Sequence, residues 1–179
     1  MIGPWLARLD GHDRALLTRM SASARSHAEL RAWRAVTHAG GSVATVLACG
    51  VPLLVGAALP NAFALRLGGL VTATVVGSHL AVQVVKRTVG RPRPTLGAGV
   101  TALAAEPDRF SFPSGHAAAA MSVALGYATA WPNAQPLLVA LAVLVGVSRA
   151  VLGVHYVGDV IAGQLLALGA ALVLRGIGT

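Results

Sequence analysis

Ser148-Arg149-Ala150-Val151-Leu152-Gly153-Val154-His155-Tyr156-Val157-Gly158-Asp159 interrupts an otherwise almost wholly apolar run that extends from Leu137 to Leu174. An arginine, a histidine and a carboxylate thus sit in sequence with the character of a membrane core. Ionisable groups are costly there, so each one is a functional hypothesis by default. Asp159 is the only acidic residue after Asp108. Gly153 lacks a Cβ and favours a sharp reversal, so two spans are expected, about 135–152 and about 156–174. His155 and Asp159 are four apart, so on a helix they share a face. That spacing lets a carboxylate hold an imidazole in one tautomer and leaves its other nitrogen free to act. Arg149 adds a forked cation suited to phosphate. The competing reading is a buried His–Asp pair that only ties two helices together.

Composition fixes the class. Of the 179 residues, 55% are hydrophobic and 11% charged, and mean hydropathy is +0.70. Soluble domains carry about 25% charged residues. Strand-like alternation is missing, so the expected fold is all-α, a polytopic transmembrane helical bundle. Apolar stretches of bilayer length add three spans to the two above: 41–59, ending at Pro60-Asn61; 67–85, stopping at Lys86; and 116–131, ending at Trp131-Pro132-Asn133. The total is about five. Amphipathic interfacial helices precede them over residues 3–38, with Leu6, Leu9, Leu16, Leu17 and Met20 as the apolar stripe. Arg8, Asp10, Asp13, Arg14 and Arg19 fill the other positions, and Trp5 and Trp33 suit the headgroup zone. The first 38 residues hold no continuous apolar core of the kind a cleavable signal peptide needs. His79 falls within the second span, seven residues before Lys86 and so on about the same face, and is expected to be a packed or hydrogen-bonded core histidine.

Formal net charge is +8, but the basic residues do not form one patch. Six arginines precede the first span, and Lys86, Arg87, Arg91 and Arg93 cluster where the second ends. Anionic lipid headgroups explain such membrane-edge charge better than nucleic acid does. The single cysteine, Cys49, allows no internal disulfide.

Counting spans brings the polar residues to one membrane face. Spans one and two return the chain to its starting side, which places Lys86–His116 there. Spans three and four return it again with Arg149–Asp159. Lys86, Arg93 and Arg149 then bring three cations to one pocket, which calls for a phosphoryl group or a similar anion. Ser114 and Gly115, at a helix start, offer backbone N–H groups and the positive dipole end. Ser114 also reads as an ordinary N-cap, a role compatible with catalysis. His155, oriented by Asp159, is a candidate nucleophile, and His116 is a second histidine able to protonate a leaving oxygen. No Asp, Glu and His grouping has metal-ligand spacing, so no metal or other cofactor is expected and the cations take the place of magnesium. Glu106 and Asp108 are placed outside the clusters. Arg87, Arg91 and Arg109 are read as headgroup or surface residues.

The pattern Lys86-x6-Arg93-Pro94, Pro113-Ser114-Gly115-His116 and Ser148-Arg149-x5-His155-x3-Asp159 resembles the three-part signature of the type 2 phosphatidic acid phosphatase superfamily. That superfamily includes lipid phosphate phosphatases and vanadium-dependent haloperoxidases, and the match covers residues 86–159 with order and spacing kept. The resemblance implies a phosphohistidine at His155, support from Asp159 and general-acid action by His116. It implies that Lys86, Arg93, Ser114, Gly115 and Arg149 bind phosphoryl oxygens without a metal. Bacterial members of the membrane branch commonly have six spans, against five counted here.

The expected organisation is a 1–40 interfacial segment followed by a 41–179 transmembrane phosphatase domain in a bacterial inner membrane. Its partners are a membrane lipid phosphate or pyrophosphate, water and the bilayer. Undecaprenyl pyrophosphate, phosphatidic acid, phosphatidylglycerol phosphate and a prenylphosphoryl sugar phosphate are all candidate substrates. The positive-inside rule favours a cytoplasmic site, whereas the resemblance points to the outer face, the side expected once Lys86 and Arg93 are assigned to phosphate. An anion carrier would use the cations but give no task to His116 or to the His155–Asp159 pair. A haloperoxidase would share the pocket, but the haloperoxidases are soluble.

Overall fold

A computed structural model of the chain describes residues 4–21, 26–97, 100–105 and 108–177. Arg25 and Glu106, with the side chains of Trp5, Leu6, Arg8 and Leu9, lie outside the described residues. The helices in order are α1 (Pro4–Ser21), α2 (His27–His38), α3 (Ser42–Ala58), α4 (Ala62–Val89), a single turn α5 (Pro94–Gly97), α6 (Gly115–Ala128), α7 (Gln135–Val151) and α8 (Val157–Ile177). A short 3-10 turn, Pro132–Ala134, leads into α7. No strand occurs among the described residues, and one isolated bridge joins Pro92 to Phe110.

Local chemistry sets the helix ends. Ser26 and Glu29 close a capping box at α2, each accepting from the other's backbone N–H, at 3.1 and 3.0 Å. Asn61 Oδ1 accepts from the Phe63 and Ala64 N–H groups at the start of α4, both at 3.1 Å. The reversal expected at Gly153 is present, with φ +72°. A Cβ there would also stand 2.9 Å from the Thr101 carbonyl oxygen, so both conformation and space demand glycine.

α6 is the central helix, packed by α4, α7 and α8. Its buried positions are mostly small, among them Ala117, Ala118, Ala120 and Ala124, which lets neighbouring backbones come close. The outer surface of the bundle is apolar: Val43, Leu54, Leu80, Leu137, Ile161 and Leu172 are all exposed. Backbone groups satisfied within helices and an apolar exterior are what lipid requires. This is an integral membrane protein of all-α fold. At the end of the bundle away from Lys86, Trp131 stacks on Tyr127 and meets Phe63 edge-on, an interfacial aromatic group.

The span count differs from five. Three helical stretches are long and apolar enough to cross a bilayer, Ala62–Val89, Pro132–Val151 and Val157–Ile177. A fourth is reached if α2 and α3, bent by 41° at their junction, count as one span. α3 has 17 residues and α6 has 14, about 25 and about 21 Å of helix against a hydrocarbon core of about 30 Å. α6 can be short because it begins inside the bundle, where protein rather than lipid surrounds its first turn.

α1 and α2, expected as interfacial helices, pack on α7, and Leu17 is fully buried with Ala150 and Tyr156. One placement departs from the sequence reading: His79 is exposed on α4, beside Gln83, instead of sitting in the core. The inward stripe of α4 runs through Val71, Thr74, Ser78, Val82 and Lys86. That stripe drifts around the helix, so a seven-residue spacing from Lys86 does not turn His79 inward.

Candidate active site

The last turn of α4, the connection that follows it, the start of α6 and the α7–α8 turn meet at one end of the bundle. Lys86, Arg93, Ser114, Arg149, His155 and Asp159 are all buried there, while Gly115 and His116 are partly exposed. The eight residues marked in the sequence thus come together, although they span 74 positions of chain.

Asp159 is the best-held of them. Its Oδ2 accepts the Tyr156 N–H at 2.9 Å and the Ser111 hydroxyl. Oδ1 takes Arg91 Nη1 at 2.7 Å. The Asp159 carbonyl oxygen accepts the Ser114 N–H at 2.9 Å, so the carboxylate and the start of α6 are fixed together. Gly163 permits that approach, because a Cβ there would collide with the Ser114 carbonyl. His155 precedes α8 instead of lying within it. The His155–Asp159 spacing therefore works across the helix start, with Asp159 reaching back over the first turn.

His155 Nδ1 lies 3.5 Å from Asp159 Oδ2, just beyond hydrogen-bond length. Its Nε2 lies 3.3 Å from Arg93 Nη1. Burial pushes the imidazole down to about 4, with Asp159 acting in the opposite direction and Arg93 and Arg149 assisting. The ring is therefore neutral at pH 7, with one nitrogen towards a carboxylate and the other towards a cation.

Arg93 and Arg149 act on the ring, and Lys86 joins Arg93 through Asp108. Arg93 also donates Nη1 to the Val154 carbonyl (2.8 Å) and Nε to the Asp108 carbonyl (2.6 Å). Arg149 Nη1 donates to the buried Thr37 hydroxyl of α2 at 2.9 Å. Lys86 Nζ donates to Asp108 Oδ2 at 2.6 Å, and Arg93 Nη2 reaches Asp108 Oδ1 at 3.0 Å. Asp108, expected outside the clusters, is thus in contact with two of the cations. Burial raises its carboxyl, but Lys86 and Arg93 outweigh this and hold it below the usual carboxylate range. One carboxylate bridging two cations is the charge pattern that phosphoryl oxygens present.

Arg91 is a second correction. Read as a headgroup or surface residue, it is instead the hub of an acidic cluster. Its guanidinium meets Asp159, Asp13 and Asp10 at 2.7, 2.8 and 2.7 Å and lies 3.9 Å over the Tyr156 ring. Burial works against its charge, but Asp159 foremost and the other two carboxylates raise it further above its ordinary range. Asp13 Oδ1 also accepts the Gly158 N–H at 2.8 Å. The signal available in sequence was the acidic pair Asp10 and Asp13 in a basic segment, with nothing to name its partner. Ser111 was missed for the same reason. Among the described residues no three His, Cys, Asp or Glu side chains gather as a metal would need.

The sequence model of the PAP2 superfamily matches residues 62–177. The chain belongs to the PAP2 superfamily. Among PAP2 relatives, it is 35% identical over 155 residues to decaprenylphosphoryl-5-phosphoribose phosphatase of Mycolicibacterium smegmatis, covering 86% of this chain and 81% of that one. It is 34% identical over 102 residues to lipid A 1-phosphatase of Rhizobium etli, covering 54% of this chain but only 44% of the relative. The chain thus spans less than half the length of that relative. In structure it is similar to the transmembrane PAP2 type phosphatidylglycerolphosphate phosphatase of Bacillus subtilis, with TM-score 0.78 and 26% identity over 96% of this chain and 86% of that one. LpxE of Aquifex aeolicus, at TM-score 0.72 and 22% identity over 89% of this chain and 92% of that one, shares the PAP2 membrane fold.

Proposed function

We propose that this chain is a membrane lipid phosphate or pyrophosphate phosphatase that works through a phosphohistidine at His155 without a metal. One observation carries the reading: a neutral buried imidazole with Nδ1 beside Asp159 and Nε2 3.3 Å from Arg93. Membership of the PAP2 superfamily and similarity to three kinds of lipid phosphatase support it. His155 Nε2 forms an N–P bond as the P–O bond to the leaving group breaks. His116, which takes up a proton from water when the anionic substrate binds beside it, gives that proton to the departing oxygen. Water then attacks the phosphorus with His116 taking back a proton, the N–P bond breaks, and phosphate leaves with His155 neutral again. Lys86, Arg93, Arg149 and the N–H groups around Ser114 and Gly115 would hold the phosphoryl oxygens as charge develops. Arg91, Ser111 and the Tyr156 N–H keep Asp159 aimed at His155. From the segment read as interfacial, Arg34, Thr37 and His38 of α2 also wall the site.

Charge supports a cytoplasmic site in a bacterial inner membrane. With Lys86, Arg91, Arg93 and Arg149 set aside as site residues, Arg14, Arg19, Arg31, Arg34, Arg87 and Arg109 remain on helices and connections at this end. Arg66 and Arg175 stand at the other end, a bias that the positive-inside rule reads as cytoplasmic, against the outer face that the resemblance implies. Labelling of single cysteines at positions 87 and 175 from the outside of intact cells tests it: only position 175 should react.

The reaction is tested by phosphate release from a lipid phosphate in excess EDTA, with acid-quenched trapping of labelled phosphate on the protein. Label on wild type and none on His155→Ala is expected. Release that stops with EDTA and returns with magnesium would overturn the mechanism. Binding of the lipid with no release would favour an anion-binding protein.

A further inference from the structure

We propose that Asp13 of α1 is a positioning residue of the active site, one that sets the direction of Asp159 without touching the substrate. This rests on Asp159 as the partner of His155 in the reaction above. It adds a residue that lies outside the stretch matched by the PAP2 sequence model, residues 62–177.

The two oxygens of Asp13 make different bonds. Oδ1 accepts the Gly158 N–H at 2.8 Å, and Oδ2 accepts Arg91 Nη1, also at 2.8 Å. Gly158 is the neighbour of Asp159 along the chain, and Arg91 Nη1 is its neighbour in space, 2.7 Å from Asp159 Oδ1. The contacts therefore close a ring, from Asp13 to the Gly158 backbone, on to the Asp159 side chain, across to Arg91 and back to Asp13. With Arg91 alone, the carboxylate of Asp159 could turn and take the long guanidinium with it. In the closed ring Arg91 Nη1 is shared with a group tied to the backbone of α8, so neither partner can turn freely. The orientation is set before substrate arrives, which is the kind of support a reacting group needs from its neighbours.

α1 brings Asp13 to this place through apolar packing as well as charge. Leu17, four residues on and so on the same face of α1, is fully buried against Ala150 and Tyr156. Tyr156 follows His155 in the chain, donates its N–H to Asp159, and carries the ring over which Arg91 lies. The Asp13 side chain is largely buried, whereas Asp10 is more exposed, so the Asp13 bonds are the better shielded from water. Gly158 gives independent support. A Cβ there would stand 2.8 Å from Asp13 Oδ2, and its three nearest neighbours would all be atoms of that carboxyl group. The backbone of Gly158 is not left-handed, so the contact with Asp13 is what a side chain at this position would disturb.

The experiment measures kcat and KM of the full chain in detergent, per folded molecule as counted from thermal melts. The substrate is whichever of phosphatidic acid, phosphatidylglycerol phosphate and farnesyl diphosphate the wild type hydrolyses fastest. Asp13→Ala is expected to lower kcat about tenfold and to change KM less than about threefold, the scale of one charge-assisted hydrogen bond that orients without binding. Gly158→Ala keeps the charge but pushes the carboxylate off Arg91, so it should lower kcat as well. That clash needs the Asp13 carboxylate, so Gly158→Ala should add nothing in the Asp13→Ala background. Asp13→Asn keeps an acceptor for the Gly158 N–H and should recover part of kcat. A carboxylate that only fastened α1 to the bundle would lower the melting temperature and leave kcat of the folded molecules alone. Unchanged kcat in Asp13→Ala, or effects that multiply in the double variant, overturns the proposal. If Asp13→Ala does not fold, wild-type kcat in both Gly158→Ala and Asp13→Asn overturns it. A second readout needs no turnover: nitrogen NMR of histidine-labelled protein, with the His155 signal identified by its loss in His155→Ala. Wild type should show one tautomer, protonated at Nδ1, and Gly158→Ala and Asp13→Asn a mixture. An unaltered tautomer in both variants also overturns the role of Asp13. If wild type releases no phosphate from any of these lipids, the reaction is wrong while the tautomer still decides the ring of contacts.

Discussion

Replacing Arg91 by Gln tests the part of the site that the sequence concealed. Its Nη1 lies 2.7 Å from Asp159 Oδ1 and 2.8 Å from Asp13 Oδ2. Glutamine removes the charge and leaves two carboxylates facing each other across the position of one cation, where both can stay ionised only at a cost. The Asp159 side chain is fully buried and that of Asp13 is 12% exposed, whereas Asp10 is 35% exposed. The outer pair with Asp10 is therefore worth little. Removing one partner of a buried pair costs about 3–5 kcal/mol, and we take the lower end because Arg91 is itself 18% exposed. If about 2.7 kcal/mol of this is felt at the transition state, through a His155 ring no longer held, kcat falls about 100-fold. Stopped phosphate-release assays over pH 5–9 would show it, with activity recovering as pH rises and the carboxylates regain charge. Arg91→Lys, which cannot span three carboxylates, should fall in between, and Asp10→Asn should change kcat less than about threefold. Wild-type kcat with an unaltered pH profile in Arg91→Gln would refute the clamp.

His155→Ala should abolish turnover, whereas Asp159→Asn should leave a small residual rate, because the phosphoryl cations remain when only orientation is lost; single-turnover release measures both. The reactive imidazole is neutral and burial has pushed it down to about 4, so the acid limb of kcat/KM that depends on this group should fall near pH 4, well below the ordinary histidine range of about 6.5. The same depression has a stability sign: between about 6.5 and about 4 the unfolded chain binds the proton and the folded one does not, so stability falls as pH drops through that window. Thermal melts of wild type and His155→Gln should converge there if this holds. Asp108→Asn removes the carboxylate that bridges Lys86 and Arg93, so inhibition by inorganic phosphate should tighten about tenfold, the scale of one charge-assisted contact. Weaker inhibition would show that Asp108 organises the cations instead of competing for them.

Legibility followed the range of the interactions. Ser114 as the cap of α6, Gly153 as the turn and the reach of Asp159 to His155 were readable, because each acts within four residues and leaves a fixed spacing. Lys86 and Arg93 were readable because the end of an apolar segment places them. The span count was less so: length rules assume that a helix meets lipid along its whole course, and α6 begins inside protein. His79 failed because a face assigned from one reference residue ignores the drift of a long packed helix.

The sequence alone therefore determined that the chain is a helical membrane protein with His155, Asp159 and their cations at one end. Apolar length and i to i+4 geometry are local properties. Only the tertiary structure decided that Arg91 holds Asp159 to Asp13, which lies 78 residues from Arg91, that Asp108 returns across 22 residues to Lys86, and that Thr37 meets Arg149 across 112. Ion pairs and hydrogen bonds formed over such distances carry no periodicity. They exist because tertiary packing brings segments distant in sequence together where water is scarce.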